Sequence, residues 1–585
     1  MSERALSYEQ PSLAHLFVLG SFLYVLNVAR VIADHLFYAG LVAQIALGIV
    51  YGSPLADILP IAWETTFTAL GYLGLILVVF EGGLSTNLPV LLSNLPLSIL
   101  CAVTGIAAPI ALSFALLDAA FNYKPLEAFA AGAALSSTSL GTTLAALNSV
   151  TKNMAFYVCV STPNLLDGTH TTTARSTPED TDPIARTLPQ EKQTPLQHSR
   201  IGTILISAAI IDDVVGLVIA SLIPALASVD SDPPGDNHGN LAWTIVRPLL
   251  SSFLIAAIAS IVSRFVLRPV FRYRGVGERW CAPAREGKPW GAFALSKEGS
   301  GWGASAHSDA VKLCIMVITL SGMVAIANYT DTSVLYGAYV AGLVLTYISQ
   351  PAPGEDFDES AEELSFEQTF GRIIGPLQAN LLLPLFFASI GFAVPFLDLW
   401  HPTVIWRGIV YSVLMTLAKL AVGLPILLYS VALSFVHTTL KNMRMLVSQL
   451  GTKISRLLHP VISRSTGRNT PHSTSTIPPL SAEKMDSHDA GMLLGVSQEP
   501  ILGQPTTSIP AAVFIGVAMV SRGEIGLLIA QLARGNDSGG ERGLLGDEAF
   551  SVCIWAILLC TLVGPIGTGI VVGRWGSKVT TTLWA

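Results

Sequence analysis

Between Ile201 and Leu226 an apolar stretch long enough to cross a bilayer as one helix carries two adjacent carboxylates, Asp212 and Asp213, at its middle. A carboxylate at that depth costs at least about 2.5 kcal/mol on insertion scales, so two in succession require water, cations or a positive partner. Nothing within the stretch supplies one. Successive helical residues point about 100° apart, so one acid can face an aqueous cavity while the other faces a neighbouring helix, and the two are candidates for different roles. Like charge and burial favour the protonated acid, whereas a nearby cation favours the ionised form. A carboxyl balanced between these influences can exchange a proton for a metal cation. The rival reading is a helix of a soluble core with both acids at a polar seam.

Composition weighs against that rival. The chain of 585 residues is 51% hydrophobic and only 12% charged, where soluble domains carry about 25% charged residues. The fold class is therefore an all-α polytopic membrane protein. The net charge of -7 comes largely from loops, and no basic stripe with interleaved aromatics marks a nucleic-acid partner. Cys101, Cys159, Cys281, Cys314, Cys553 and Cys560 show neither CxxC nor Cys/His ligand spacing, so no disulfide framework, zinc site or other resident cofactor is indicated. The apolar run Leu13 to Ala29 lacks a small-residue cleavage site and reads as the first membrane helix.

Windows of about 20 apolar residues give thirteen expected spans within residues 11–572: Pro11 to Ala33, His35 to Ser53, Ile61 to Leu84, Leu95 to Leu117, Leu126 to Leu147, Ile201 to Leu226, Leu241 to Val266, Ala310 to Asn328, Ser333 to Ile348, Ile374 to Leu397, Val404 to Val431, Ile509 to Leu532 and Phe550 to Val572. An arrangement of six, one and six places the halves in opposite orientations, the pattern of an inverted repeat. GLVAQIALGIVYG in the second span loosely echoes YGAYVAGLVLTY in the ninth. The fifth and twelfth both carry polar, Gly-containing centres, SSTSLGTT and SRGEIG, where broken helices are expected. Basic residues after the seventh span (Arg268, Arg272, Arg274, Arg279, Arg285, Lys288, Lys297) and after the eleventh (Lys441, Arg444, Lys453, Arg456, Arg464, Arg468, Lys484) fall on the side of the carboxyl terminus with Arg574 and Lys578. That side is expected to be cytoplasmic. The acidic run Glu355 to Glu367 would share it, an exception of little weight because acids count for little in this rule.

Three inserts, 161–199, 273–308 and 437–508, are rich in Ser, Thr, Pro, Gly or charge and read as linkers without a core. The last opens with the basic, helically spaced HTTLKNMRMLVSQLGTKISRLLH, which suits either the inner membrane surface or a solvated helix.

Other charges lie at membrane depth. Lys419, mid-span in LMTLAKLAVGLP, is the natural partner for one aspartate; snorkelling would require it to pass several apolar residues. Arg522 and Glu524 flank Gly523 at the twelfth span's centre, either in contact with an ion or as an ion pair bracing the break. Thr138 and Ser139, with Ser136, Ser137, Thr142 and Thr143, offer hydroxyls and freed carbonyls, the hard oxygen ligands of an alkali cation. Glu81, in VVFEGGL near the end of the third span, reads as reaching an interface.

Taken together, AAIIDDVVGL, GAALSSTSLGTT, LAKLAVGLP and SRGEIGLL, with FEGGL and PLFFASIGF, resemble the monovalent cation/proton antiporters of the sodium/hydrogen exchanger superfamily, including its Kef-like and bacterial branches. The resemblance spans nearly all thirteen windows. It implies a homodimer in which spans one to three and eight to ten form the dimer side. Spans four to six and eleven to thirteen would form a moving core around crossed fifth and twelfth helices, joined through the seventh. It implies Asp213 as the carboxylate binding cation and proton, Asp212 as the acid paired with Lys419, Thr138 and Ser139 as the unwound segment facing the ion, and Arg522 and Glu524 as the charged motif of the second break. Members with an Asp pair and a lysine are often electrogenic, which Asp212 favours here. The resulting expectation is antiport of Na+ or K+ against protons. A sodium-coupled organic-anion symporter using Lys419 and Arg522, a membrane-embedded hydrolase using the acid pair, and a cation or pH sensor without flux stand as alternatives.

Overall fold

A computed structural model describes residue 10 and residues 12–139, 200–230, 241–272, 302–350, 365–432, 508–535 and 543–580, with scattered positions between 434 and 445. The insert expected at 161–199, and most of those at 273–308 and 437–508, including the basic segment, lie outside these residues. All regular structure among the described residues is helical: α1 Leu13–Phe37, α2 Gly40–Tyr51, α3 Ile61–Leu84, α4 Leu95–Ser113, α5 Pro125–Ala134, α6 Arg200–Asp230, α7 Leu241–Val262, α8 Trp302–Tyr329, α9 Val334–Ser349, α10 Leu383–Phe392, α11 Pro402–Leu420, α12 Ser508–Ala518, α13 Glu524–Arg534 and α14 Asp547–Thr580. Nine helical segments among the described residues are long and apolar enough to cross a membrane, and the chain is an integral multi-pass membrane protein.

The helices start and stop where local chemistry dictates. Pro60 and Pro125 sit where a missing N–H costs nothing at a helix start. Glu127 in the first turn of α5 accepts from the Lys124 backbone N–H at 3.0 Å. The insert expected to run to Ser308 ends earlier, because α8 begins at Trp302: the small residues of WGASAHS continue a helical run into Ala310 without a breaker.

Two bundles are visible in the packing. In the first, α3 lies along α9 and α10, α2 along α1 and α10, and α8 along α9. Glycines set these contacts. A Cβ on Gly48 would lie 2.2 Å from the Ala388 carbonyl and one on Gly391 2.3 Å from that of Ile45; Gly83 and Gly342 stand in the same relation to Tyr339 and Phe80, at 2.3 and 2.4 Å. Close backbone approach substitutes for the hydrophobic drive that lipid does not provide. The second bundle packs α4 with α5, α6 and α11, α13 with α5 and α6, and α14 with α11 and α12. Helix α7 lies between them, against α6 and α9.

Contacts among the connections pair segments separated by an even number of the apolar windows. Glu127 accepts from the Gly546 N–H at 3.1 Å, Arg407 donates to Tyr123 at 2.9 Å and Glu548 at 2.6 Å, and Trp555 donates to the Leu399 carbonyl at 2.9 Å. Arg247 pairs with Asp331, Asn94 donates to Thr203 at 3.1 Å, and Arg268 donates to the Gln350 carbonyl at 3.3 Å. Glu81 is partly buried and accepts from Gln378 at 2.6 Å, so its carboxylate is held by a neighbouring helix.

Candidate functional site

In both the fifth and the twelfth windows a helix ends at the polar centre, and the fifth window beyond residue 139 lies outside the described residues. Helix α5 ends at Ala134, Leu135 and Ser136 form a turn, and residues 137–139 run without helix. Helix α12 ends at Ala518, Met519 and Val520 turn, and residues 521–523 are unwound before α13 starts at Glu524. Serine and threonine side chains compete with the backbone for its hydrogen bonds, and glycine adds no side-chain support for a helix, so these centres release polar groups that apolar sequence would keep paired. The released groups meet. The Ser139 N–H donates to the Ser521 carbonyl at 2.9 Å, joining the two breaks, and the Thr561 hydroxyl caps the Arg522 carbonyl at 3.1 Å. Contact is tight enough that a Cβ on Gly523 would lie 2.7 Å from the Ser139 Cβ.

Asp212 on α6 and Lys419 in the last turn of α11 close this crossing from opposite sides, both 0% exposed. Asp212 Oδ2 accepts from Lys419 Nζ at 2.9 Å and from the Thr138 hydroxyl at 2.5 Å. Lys419 Nζ also donates to Thr138 Oγ1 at 2.9 Å and to the Ser136 carbonyl, which occupies all three ammonium donors. Arg522, likewise 0% exposed, donates to the Ser137 carbonyl at 2.9 Å. Two cations thus gather at the carbonyl end of α5, where the helix dipole is negative. Among the described residues Arg522 makes no ion pair with Glu524, so the bracing pair considered from sequence is replaced by a brace between the two breaks.

Asp213 points elsewhere. Its Oδ1 is buried without a hydrogen-bond partner. Glu524, Asp212 and Lys419 lie within electrostatic reach of it. From the first bundle α9 presents Tyr339, whose hydroxyl pairs with that of Thr86 at 3.2 Å within electrostatic reach of Asp213. Neither Tyr339 nor Thr86 stood out in the sequence. YGAYVAGLVLTY drew notice only as a repeat echo, and a tyrosine in an apolar span carries no signal of what it faces.

The arrangement therefore places Asp212, Asp213, Thr138, Ser139, Lys419, Arg522 and Glu524 around one crossing. Each carboxylate of the doublet keeps one buried oxygen, its Oδ1, without a hydrogen-bond partner, but only Asp212 is ion-paired through its other oxygen, a combination suited to reversible binding of a proton or a hard cation.

Comparison with known proteins agrees in kind. Residues 19–158 match the family described as sodium/hydrogen exchanger, transmembrane. The chain is 22% identical over 343 residues to the "High-affinity Na(+)/H(+) antiporter NhaS3" of Synechocystis sp. (strain ATCC 27184 / PCC 6803 / Kazusa), a match that covers 57% of this chain and 53% of that protein, about half of its length.

Proposed function

We propose that the chain is a member of the sodium/hydrogen exchanger superfamily, on the family match and the similar antiporter, and that it is a secondary active antiporter exchanging protons for a monovalent cation, Na+ or K+, across the membrane it spans. The observation that carries this reading is the division of labour within the doublet. Both acids keep an unpartnered Oδ1, but Asp212 is neutralised through Oδ2 by Lys419 and bonded by Thr138, whereas no cation pairs with Asp213, one residue on, among the described residues. Proton and cation compete for Asp213, and a core neutralised by either crosses more readily than one carrying an unpaired charge. Thr138 and Ser139 border the site, and Arg522 holds the breaks together so that ligand oxygens keep their places.

In this reading the second bundle moves and the first is the scaffold, with alternating access arising from their relative shift and the first bundle forming the face of a homodimer. Thirteen crossings in an inverted repeat are part of this reading, and the even spacing of the connections that touch agrees with windows that cross alternately; a cytoplasmic carboxyl terminus rests on the Lys and Arg of the connections on its side. The full engagement of Lys419 disfavours the organic-anion symporter, which would need that ammonium free.

The test is Asp213→Asn in purified protein reconstituted into liposomes with an internal pH dye. Exchange on a pulse of Na+ or K+ is expected to disappear while the folded protein persists. Full exchange by this variant would remove Asp213 from the role and the reading with it.

A further inference from the structure

Helix α10 ends at Phe392, with Ala393 as its cap, and the last carbonyls of a helix have no partner within it. Arg534, in the last turn of α13, donates to the Ala393 carbonyl. This bond joins the two bundles. Phe392 is seated in the first, its ring 6.2 Å from that of Phe22, and a Cβ on Gly52 would lie 2.6 Å from its Cδ1. Arg534 is held in the second. It donates to Asp547 at 3.2 Å at the start of α14, and its guanidinium lies 4.9 Å from the centroid of the Phe550 ring. The backbone beneath it is fixed as well, since the Leu545 N–H donates to the Ala533 carbonyl at 2.8 Å.

The chain passes from one bundle to the other at the same point. Residues 393–401 connect α10 to α11, and their far end travels with the second bundle. There Trp555 on α14 donates to the Leu399 carbonyl at 2.9 Å and meets the Trp400 ring edge-on, with centroids 6.0 Å apart. At the near end a cavity of about 380 Å3 lies in the seam, lined by Ser53 and Pro54 beyond α2, by Phe392, Phe396 and Asp398, and by Arg534. Helix α14 starts at this rim and runs 34 residues, about 50 Å, to Thr580, so the rim and Thr580 lie on opposite sides of the membrane.

We infer that Arg534 is a latch: its bond to Ala393 holds the seam between the bundles shut at this rim, and its release lets the strap 393–401 pivot at Ala393 to Pro395 and the seam open. The inference rests on the reading that the second bundle moves against the first, and it names the contact that must break when the ion site is exposed on this side. A brace internal to one bundle would have all its partners there. Arg534 instead has two partners in its own bundle and a third across the seam. Pro395 marks the pivot, because its ring keeps α10 from continuing into the short helix Phe396–Leu399. The ion pair with Asp547 is solvent-accessible, the two side chains being 24% and 67% exposed, so it contributes little to the stability of the fold. What the guanidinium does contribute is a charge-assisted bond at the negative end of α10, present only while the bundles touch.

The latch is tested by measuring the width of the seam. Leu55 beyond α2 and Leu532 on α13 are both exposed. Spin labels at Leu55→Cys and Leu532→Cys, in full-length protein whose six native cysteines are replaced by alanine, report the separation by pulsed electron paramagnetic resonance in liposomes. One short distance is expected to dominate in this parent. Arg534→Gln is expected to raise the ratio of long to short distances by about tenfold, the value of one charge-assisted hydrogen bond, with the unfolding temperature close to that of the parent. Arg534→Lys keeps the charge but cannot hold both partners with one head group, so the ratio is expected to rise in the same direction and by less. A distance distribution unchanged in either folded variant overturns the latch. A longer distance accompanied by a large fall in unfolding temperature overturns it too, because Arg534 would then be a brace of the fold. Asp213→Asn in the labelled protein keeps the two levels apart: exchange retained by that variant defeats the antiport reading, whereas the distances across the rim are read without any transport.

Discussion

Replacing Lys419 by Met is expected to destabilise the protein by about 3–5 kcal/mol and to abolish exchange. The ammonium is 0% exposed and each of its donors is in use, on Asp212 Oδ2, Thr138 Oγ1 and the Ser136 carbonyl. Removing it leaves Asp212 as a buried anion held only by the Thr138 hydroxyl, and frees a carbonyl at the break of the fifth span. The asymmetry between breaking a buried pair and replacing both of its members gives the control. Asp212→Asn combined with Lys419→Met removes both charges, so the double variant should recover much of the lost stability, with a coupling energy above about 2 kcal/mol. Thermal unfolding at fixed detergent and protein concentration measures both. A Lys419→Met protein with the unfolding profile of the parent would mean that the pair bears no weight in the fold, and the case for Asp212 as the structural member of the doublet would go with it.

Nine of the thirteen expected windows contain helical segments long and apolar enough to cross a membrane among the described residues, and these were legible in the sequence because lipid imposes one strong requirement, internal satisfaction of the backbone over a fixed thickness. The third window coincides with α3, and the break in the twelfth falls within SRGEIG as its polar centre requires. The second window was less faithful. It was expected from His35, but α1 continues to Phe37 and α2 begins only at Gly40, with Tyr38 in a left-handed conformation between them. Hydropathy alone cannot register so short a turn between two apolar helices. The pairing of Lys419 with one aspartate was legible from cost, since a buried charge needs an opposite one. Which carbonyls share that ammonium was not, because the Ser136 and Ser137 carbonyls become available only once the fifth span unwinds and the twelfth crosses it. Arg522 shows the same limit. Its nearest charge in sequence is Glu524, yet the unwound segment directs the guanidinium across to Ser137 and leaves Glu524 on the side of Asp213. The partner of Glu81 was likewise hidden, since Gln378 lies nearly 300 residues later and only the fold brings it beside that carboxylate.

The crossing also predicts a steric effect that charge does not. Gly526→Ala is expected to cost about 1–3 kcal/mol and to slow exchange by about a hundredfold. A Cβ at this position would lie 2.6 Å from the Ala134 carbonyl oxygen and 3.0 Å from Ser137 Oγ. The first obstacle is backbone at the end of α5, so it cannot swing aside as a side chain would. Relief requires α13 to move away from α5, and the Ser139 to Ser521 hydrogen bond resists that movement. Any displacement it allows carries Glu524 away from Asp213 and Arg522 away from Ser137, which is why the effect on exchange should exceed the effect on stability. Gly322→Ala on α8 provides the comparison, because nothing lies within 4 Å of its added Cβ. In a helix interior that substitution should be neutral or stabilising by up to about 1 kcal/mol, with exchange unchanged. Unfolding temperatures and initial exchange rates of the two variants, measured side by side, decide the matter: equal behaviour would mean that the two breaks do not need to touch for the ion site to form.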